Sequence, residues 1–114
     1  MAQLMNSQNQ ILASHLTIAD GMWSRMKGLL GTDALQSQDA LWIHRCNSIH
    51  TFFMKYAIDC IFLDSNLKVK ALKEQIQPSR MTFPIWGARS VIEMKSGQIR
   101  DLGLKVGEQL HVRS

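Results

Sequence analysis

"YAIDCIFLDSNLKVKALKE", Tyr56 to Glu74, is the stretch whose reading decides the fold. Its first half is an apolar run that stops at Asp64, Ser65 and Asn66, residue types that form turns. Its second half alternates, with Leu67, Val69 and Ala71 on one side and Lys68 and Lys70 on the other. A continuous apolar run, a turn and then a period of two describe a buried strand hairpinned to a half-exposed one.

The neighbouring segments extend this β pattern. Upstream, "DALWIHRC" reads as an extended segment, with Trp42, His44 and Cys46 on one face and Leu41, Ile43 and Arg45 on the other. Before it, "ADGMWSRMKGLLGTD" offers Asp20 as a helix cap, Met22, Met26, Leu29 and Leu30 at helical spacing, and Gly31 as a stop. The Met stripe on that helix is core packing, since Met fills irregular gaps without chemistry. At the N-terminus "QLMN" and "ILASHLTIA" flank a polar tetrad and suit two strands joined by a turn. Downstream, "QPSRMTFPIWGARS" holds both prolines and reads as a loop crossing the sheet edge, with Trp86 as its anchor. "VIEMKSG" resumes as a strand, "QIRDLGL" suits one helical turn, and "VGEQLHV" closes as a last strand. The expected fold is mainly β (α+β): an antiparallel β-sandwich or open barrel with one main helix packed across it.

Composition agrees with a folded unit. The 114 residues are 46% hydrophobic and 19% charged, which fits a single domain over 1–114. The 13 Lys and Arg exceed the 9 Asp and Glu by a net +4, but the cations are spread along the chain from Arg25 to Arg113 rather than set in a block. No nucleic-acid partner is therefore expected, because a phosphate-tracking surface needs clustered cations beside stacking aromatics. No run approaches a membrane span. The start has no positive n-region and no apolar h-region, so the chain as given reads as cytoplasmic, with export as the alternative if a leader has been trimmed. Cys46 and Cys60 are expected to be thiols.

The residues that carry chemistry lie in "RCNSIHTFFMKYAIDC" and "VIEM". Asp59 sits in an apolar strand and must find a donor, for which Arg25, Lys55 and Arg89 are candidates; Glu93 poses the same problem. One reading makes the chain a non-catalytic binding module. Arg25, Asp59 and Glu93 would line a polar cleft beside Phe52 and Met54, holding an unidentified small molecule or a partner peptide. A second reading makes it a thiol-dependent enzyme, with Cys46 as nucleophile, His50 as base and Lys55 or a backbone N–H steadying the developing anion. A third places a soft metal on His44, Cys46 and His50, although no Cys-x-x-Cys or second Cys/His pair completes a four-ligand set. The candidate ligand-binding residues are thus Arg25, Cys46, His50, Met54, Lys55, Asp59 and Glu93. No cofactor is called for. Whether the chain is an enzyme is open between these readings.

Three segments resemble a bacterial and archaeal family, the domain of unknown function 192. They are "RMKGLLG", similar to the family's Arg-x-x-Gly-Leu-Met motif; "TFFMKYAIDCIFLD", similar to its Phe-Trp-Met-Lys segment and the strand after it; and "SVIEMKSG" with "LGLKVGE". The resemblance spans roughly Ile11 to Val112. It implies a β-rich, sandwich-like fold with a helix across it, and no established activity. Carried over by position, Arg25, Met54, Lys55, Asp59 and Glu93 are the matching signature residues. Phe53 stands where the family usually has Trp, and Cys46 and His50 look like features of a subgroup. Many members of the family are exported.

Overall fold

The structure, a computed structural model, describes residues 2–19, 36–52 and 54–114. In chain order its elements are β1 (Ala2–Asn6), β2 (Ile11–Ala19), β3 (Asp39–His44), β4 (Ile58–Leu63), β5 (Val69–Ile76), β6 (Ser90–Lys95), α1 (Gln98–Leu102) and β7 (Leu110–Arg113). The helix expected between Asp20 and Gly31, with Arg25 on it, lies outside the described residues, as does Phe53.

The β4–β5 hairpin forms, with Ile61 opposite Leu72 and Phe62 opposite Ala71, but a register shift between Phe62 and Leu63 breaks the expected alternation: Val69 packs on one face with Leu67 and Leu72, and Ala71 on the other. Asp64 closes its turn by accepting N–H bonds from Asn66 at 2.8 Å and Lys68 at 2.9 Å. β6 lies on the other side of β4, and the whole order is β5-β4-β6-β3-β2-β1-β7. This is one curled sheet, a half-barrel rather than a two-sheet sandwich, so the open-barrel form of the expectation is the one that folds. It is not wholly antiparallel, because β2 runs parallel to β3, His15 facing Asp39 and Ala19 facing Ile43. A parallel neighbour needs a crossover, which residues 20–38 have the length to supply.

The curl nearly closes at one end. Lys68 bridges Gln109, the Val69 N–H donates to the Glu108 carbonyl at 2.9 Å, and the Leu110 N–H donates to Leu67 at 3.0 Å. The two faces of the sheet bury separate cores. Leu4, Leu16, Ala40, Ile61, Ile92 and Met94 pack together on one face, where Ile99 of α1 joins them. Ile58, Cys60, Phe62 and Val91 pack on the other face, under Ile49, Met54 and Ala88 from two loops. β4 is buried at all six positions because it carries a core on each face, which is why "IDCIFL" shows no alternation.

Asp59 ties the helix to the sheet. Its Oδ2 accepts the N–H groups of Gly97 at 3.0 Å and Ile99 at 2.9 Å, and its Oδ1 accepts that of Gln75 at 2.8 Å. The first turn of α1 is therefore satisfied by a carboxylate two strands away in sequence rather than by a local cap. Gly103 ends the helix in the left-handed region, at φ 66, with Leu104 donating back to Ile99 at 3.1 Å.

Candidate anion-binding hollow

The site begins where β3 ends. Arg45 has φ 53, a left-handed conformation that costs a non-glycine residue about 1–3 kcal/mol and concentrates at functional positions. It also resets the alternation of side chains. Trp42 and His44 keep one face, their rings 4.2 Å apart in an edge-on arrangement, while Cys46 packs with Leu41 and Ile43 on the other. The expected sharing of a face by Trp42, His44 and Cys46 is thus corrected by one backbone angle.

Beyond Arg45, residues 46–51 lie along the chain from 77 to 89, and a dense set of hydrogen bonds joins them. The Cys46 N–H donates to Arg89 at 3.1 Å, Ile85 to Asn47 at 2.8 Å, Thr82 to Ile49 at 2.9 Å and Thr51 to Arg80 at 2.7 Å. The buried Thr51 hydroxyl donates to the Gln77 carbonyl at 2.6 Å and accepts the Arg80 N–H at 2.9 Å. Gly87, at φ 83, makes the tight turn after Trp86.

Two hollows open between these loops. The larger, about 510 Å³, is lined by Asn47 and residues 84–89. The smaller, about 360 Å³, is lined by Arg45, Cys46, Asn47, Ala88 and Arg89. They share Asn47, Ala88 and Arg89, and among the described residues neither has a carboxylate in its lining. The sequence agrees: residues 44–58 and 75–92 carry Arg45, Lys55, Arg80 and Arg89 and no Asp or Glu, with Asp59, Glu74 and Glu93 just outside these bounds. With those four set aside, the remaining Lys and Arg equal the nine Asp and Glu in number, so the paired loops hold the whole formal charge of +4. Folding brings two of these cations, Arg45 and Arg89, to one hollow. The ion pairs between described residues are His15 with Asp39 and Arg100 with Asp101, and neither engages Arg45 or Arg89.

The expected site residues do not all converge. Cys46 lines the smaller hollow, and its Sγ donates to the Ser48 carbonyl at 2.8 Å. Burial pushes its thiol up, and the Glu93 charge acts in the same direction. His50 stacks on Phe52 with ring centroids 5.1 Å apart, and its Nδ1 is buried without a hydrogen-bond partner among the described residues. Met54 is buried in the loop-side core and Lys55 is exposed. Asp59 is saturated by its three N–H donors. Glu93 is wholly buried, paired across the strands with Cys60 and Leu41, and neither oxygen has a partner among the described residues. Burial pushes its carboxyl up to about 7. The metal alternative is not assembled: among the described residues no three His, Cys, Asp or Glu side chains are placed to hold an ion, so His44, Cys46 and His50 do not form a ligand set.

Arg45 and Asn47 were not among the expected site residues, and Arg89 was expected only as a donor to Asp59. Trp86, expected to anchor its loop, is 95% exposed instead. The signal that finds this end of the molecule is the absence of acids from two segments which only the fold places side by side.

The comparisons with known proteins agree on kinship. The sequence profile of the domain of unknown function 192, described as "Uncharacterized ACR", matches residues 3–112. A UPF0127 protein of Thermococcus sibiricus is 33% identical over 108 residues, covering 91% of this chain and 70% of that protein. A UPF0127 protein of Pyrococcus furiosus is 40% identical over 63 residues, about half of each chain (55% and 53%). A crystal structure of a protein of unknown function from Novosphingobium aromaticivorans superposes with a TM-score of 0.78 at 18% identity, covering 96% of this chain and 82% of that one. Among the described residues, no helix is long and apolar enough to cross a membrane.

Proposed function

The chain belongs to the domain of unknown function 192 family, and from the geometry of its basic loops we propose that it is a non-catalytic binding module for a small, anion-bearing ligand. The carrying observation is the pair of hollows that share Asn47 and Arg89, the smaller also lined by Arg45, with no carboxylate in either lining among the described residues. Both guanidiniums are exposed at the surface and neither is engaged by an ion pair between described residues. A guanidinium offers a planar fork of donors that suits carboxylate or phosphate oxygens. The hollows are of the size that small-ligand clefts have, within about 300–1,000 Å³.

The thiol-dependent reading has less support. A thiol held protonated by burial, with its hydrogen donated to Ser48, lacks the electropositive activation that a nucleophilic cysteine needs. The cleft once expected around Arg25, Asp59 and Glu93 also gives way to the loop site, since Asp59 has its donors already.

Calorimetric titration with inorganic phosphate tests the proposal. Saturable binding that weakens with added salt is expected, with a loss of about tenfold or more in Arg89→Ala and in Arg45→Ala. Heats that stay at the level of dilution, or binding by both variants as tight as by the wild-type chain, would overturn it.

A further inference from the structure

The larger hollow ends at a tryptophan that folding has left in water. Trp86 is 95% exposed and Phe83 89% exposed, yet the loop that presents them is pinned to its neighbour by main-chain bonds at Thr82 and Ile85 and by the buried Thr51 hydroxyl. A loop so braced holds its aromatic rings in place instead of folding them inward, and exposed apolar surface on a rigid support marks a contact site. Beneath the turn, the Lys70 stem comes within 3.2 Å of the position a Cβ on Gly87 would take, and its Nζ within 3.7 Å. That sets a further cation beside the turn at Gly87, one of the residues lining the larger hollow.

The order of groups along the joined hollows is then Arg45 at one end, Asn47 and Arg89 in the shared middle, and Trp86 at the other end. An indole face suits a flat heterocycle, and the Asn47 amide offers both a donor and an acceptor to a ring edge. From this arrangement we infer that the ligand is a nucleoside monophosphate unit, its phosphate between Arg45 and Arg89 and its base against Trp86. The inference rests on the anion-binding reading above and adds the ring. Such a unit occurs both free and within a single strand, and base stacking on an aromatic side chain serves either source.

The test is calorimetry on the intact chain with AMP, ribose 5-phosphate, adenosine and the tetranucleotide rA4. AMP is expected to bind about tenfold or more tightly than ribose 5-phosphate or adenosine. Trp86→Ala, at an exposed position and so expected to keep the wild-type circular dichroism spectrum, should remove that gain while leaving ribose 5-phosphate unchanged. Arg89→Ala should weaken both phosphates. If rA4 binds more tightly than AMP and with a steeper salt dependence, the unit is read within a strand; if it binds no better, the free nucleotide is the ligand. Equal affinity for AMP and ribose 5-phosphate, or an unaltered AMP affinity in Trp86→Ala, overturns the ring assignment while anion binding stands. Failure of every phosphate to bind removes both.

Discussion

Asp59 and Glu93 point to opposite faces of the same sheet. Asp59 stands across from Met94, and Cys60 across from Glu93, so the two acids are one residue out of phase and project to different cores. Asp59 faces the side that holds Ile99 and α1, where three N–H groups meet it. Glu93 faces the side of Cys60 and Leu41, where its oxygens meet no hydrogen-bond partner among the described residues.

Asp59→Asn should therefore damage the fold and spare the ligand. The amide can keep one oxygen for Gly97 and Ile99, but its NH₂ then confronts the Gln75 N–H. A cost of about 1–3 kcal/mol is expected, the usual range for a buried group left unsatisfied. Urea unfolding reads the loss, and phosphate titration of the folded variant should match the wild type. A variant of full stability that no longer binds would return Asp59 to the ligand site.

Glu93 makes stability depend on pH. Its carboxyl titrates near 4.5 when unfolded and at about 7 when folded, because burial disfavours the charge. Between those values the folded chain holds a proton that the unfolded chain has released, so stability falls as pH rises through that window. Above about 7 the full cost is present, on the order of 3 kcal/mol. The thiols nearest it, Cys46 and Cys60, are both pushed upward by burial and keep their protons throughout. Glu93→Gln should remove most of this slope and be the more stable protein at pH 8. Parallel slopes for the two proteins in urea melts at pH 5, 6, 7 and 8 would show that Glu93 does not titrate this way.

Cys46 should behave as an unactivated thiol. Its iodoacetamide reaction is expected to have a midpoint above the ordinary value of about 8.5, since burial raises it. Cys60, fully buried, should react only after unfolding. A midpoint well below 8.5 for Cys46 would revive the nucleophile.

The hairpin and the strands were legible because burial writes itself into the chain, and "IDCIFL" runs apolar because both its faces are dry; the alternation read into "LKVKALKE" was not kept, because the register shift between Phe62 and Leu63 turns Ala71 to the face opposite Val69. The parallel pairing of β2 with β3 was not legible, since nothing local distinguishes a strand's neighbours. Asp59 announced only that it needed donors. That they are main-chain N–H groups of residues 75, 97 and 99 follows from how distant segments meet. The switch of Cys46 to the other face turns on the angle at Arg45, and no residue type at that position signals it. The basic loops were the reverse case, a compositional fact visible in two segments whose adjacency was missing.

The placing of Arg45 and Arg89 on one pair of hollows gives that end of the described molecule a positive field. Approaching an anionic partner, the molecule is turned end-on before contact, so productive encounters are more frequent than random collision allows. That advantage fades within a Debye length of roughly 8 Å at physiological ionic strength. The association rate, rather than the lifetime of the complex, is then what added salt slows first.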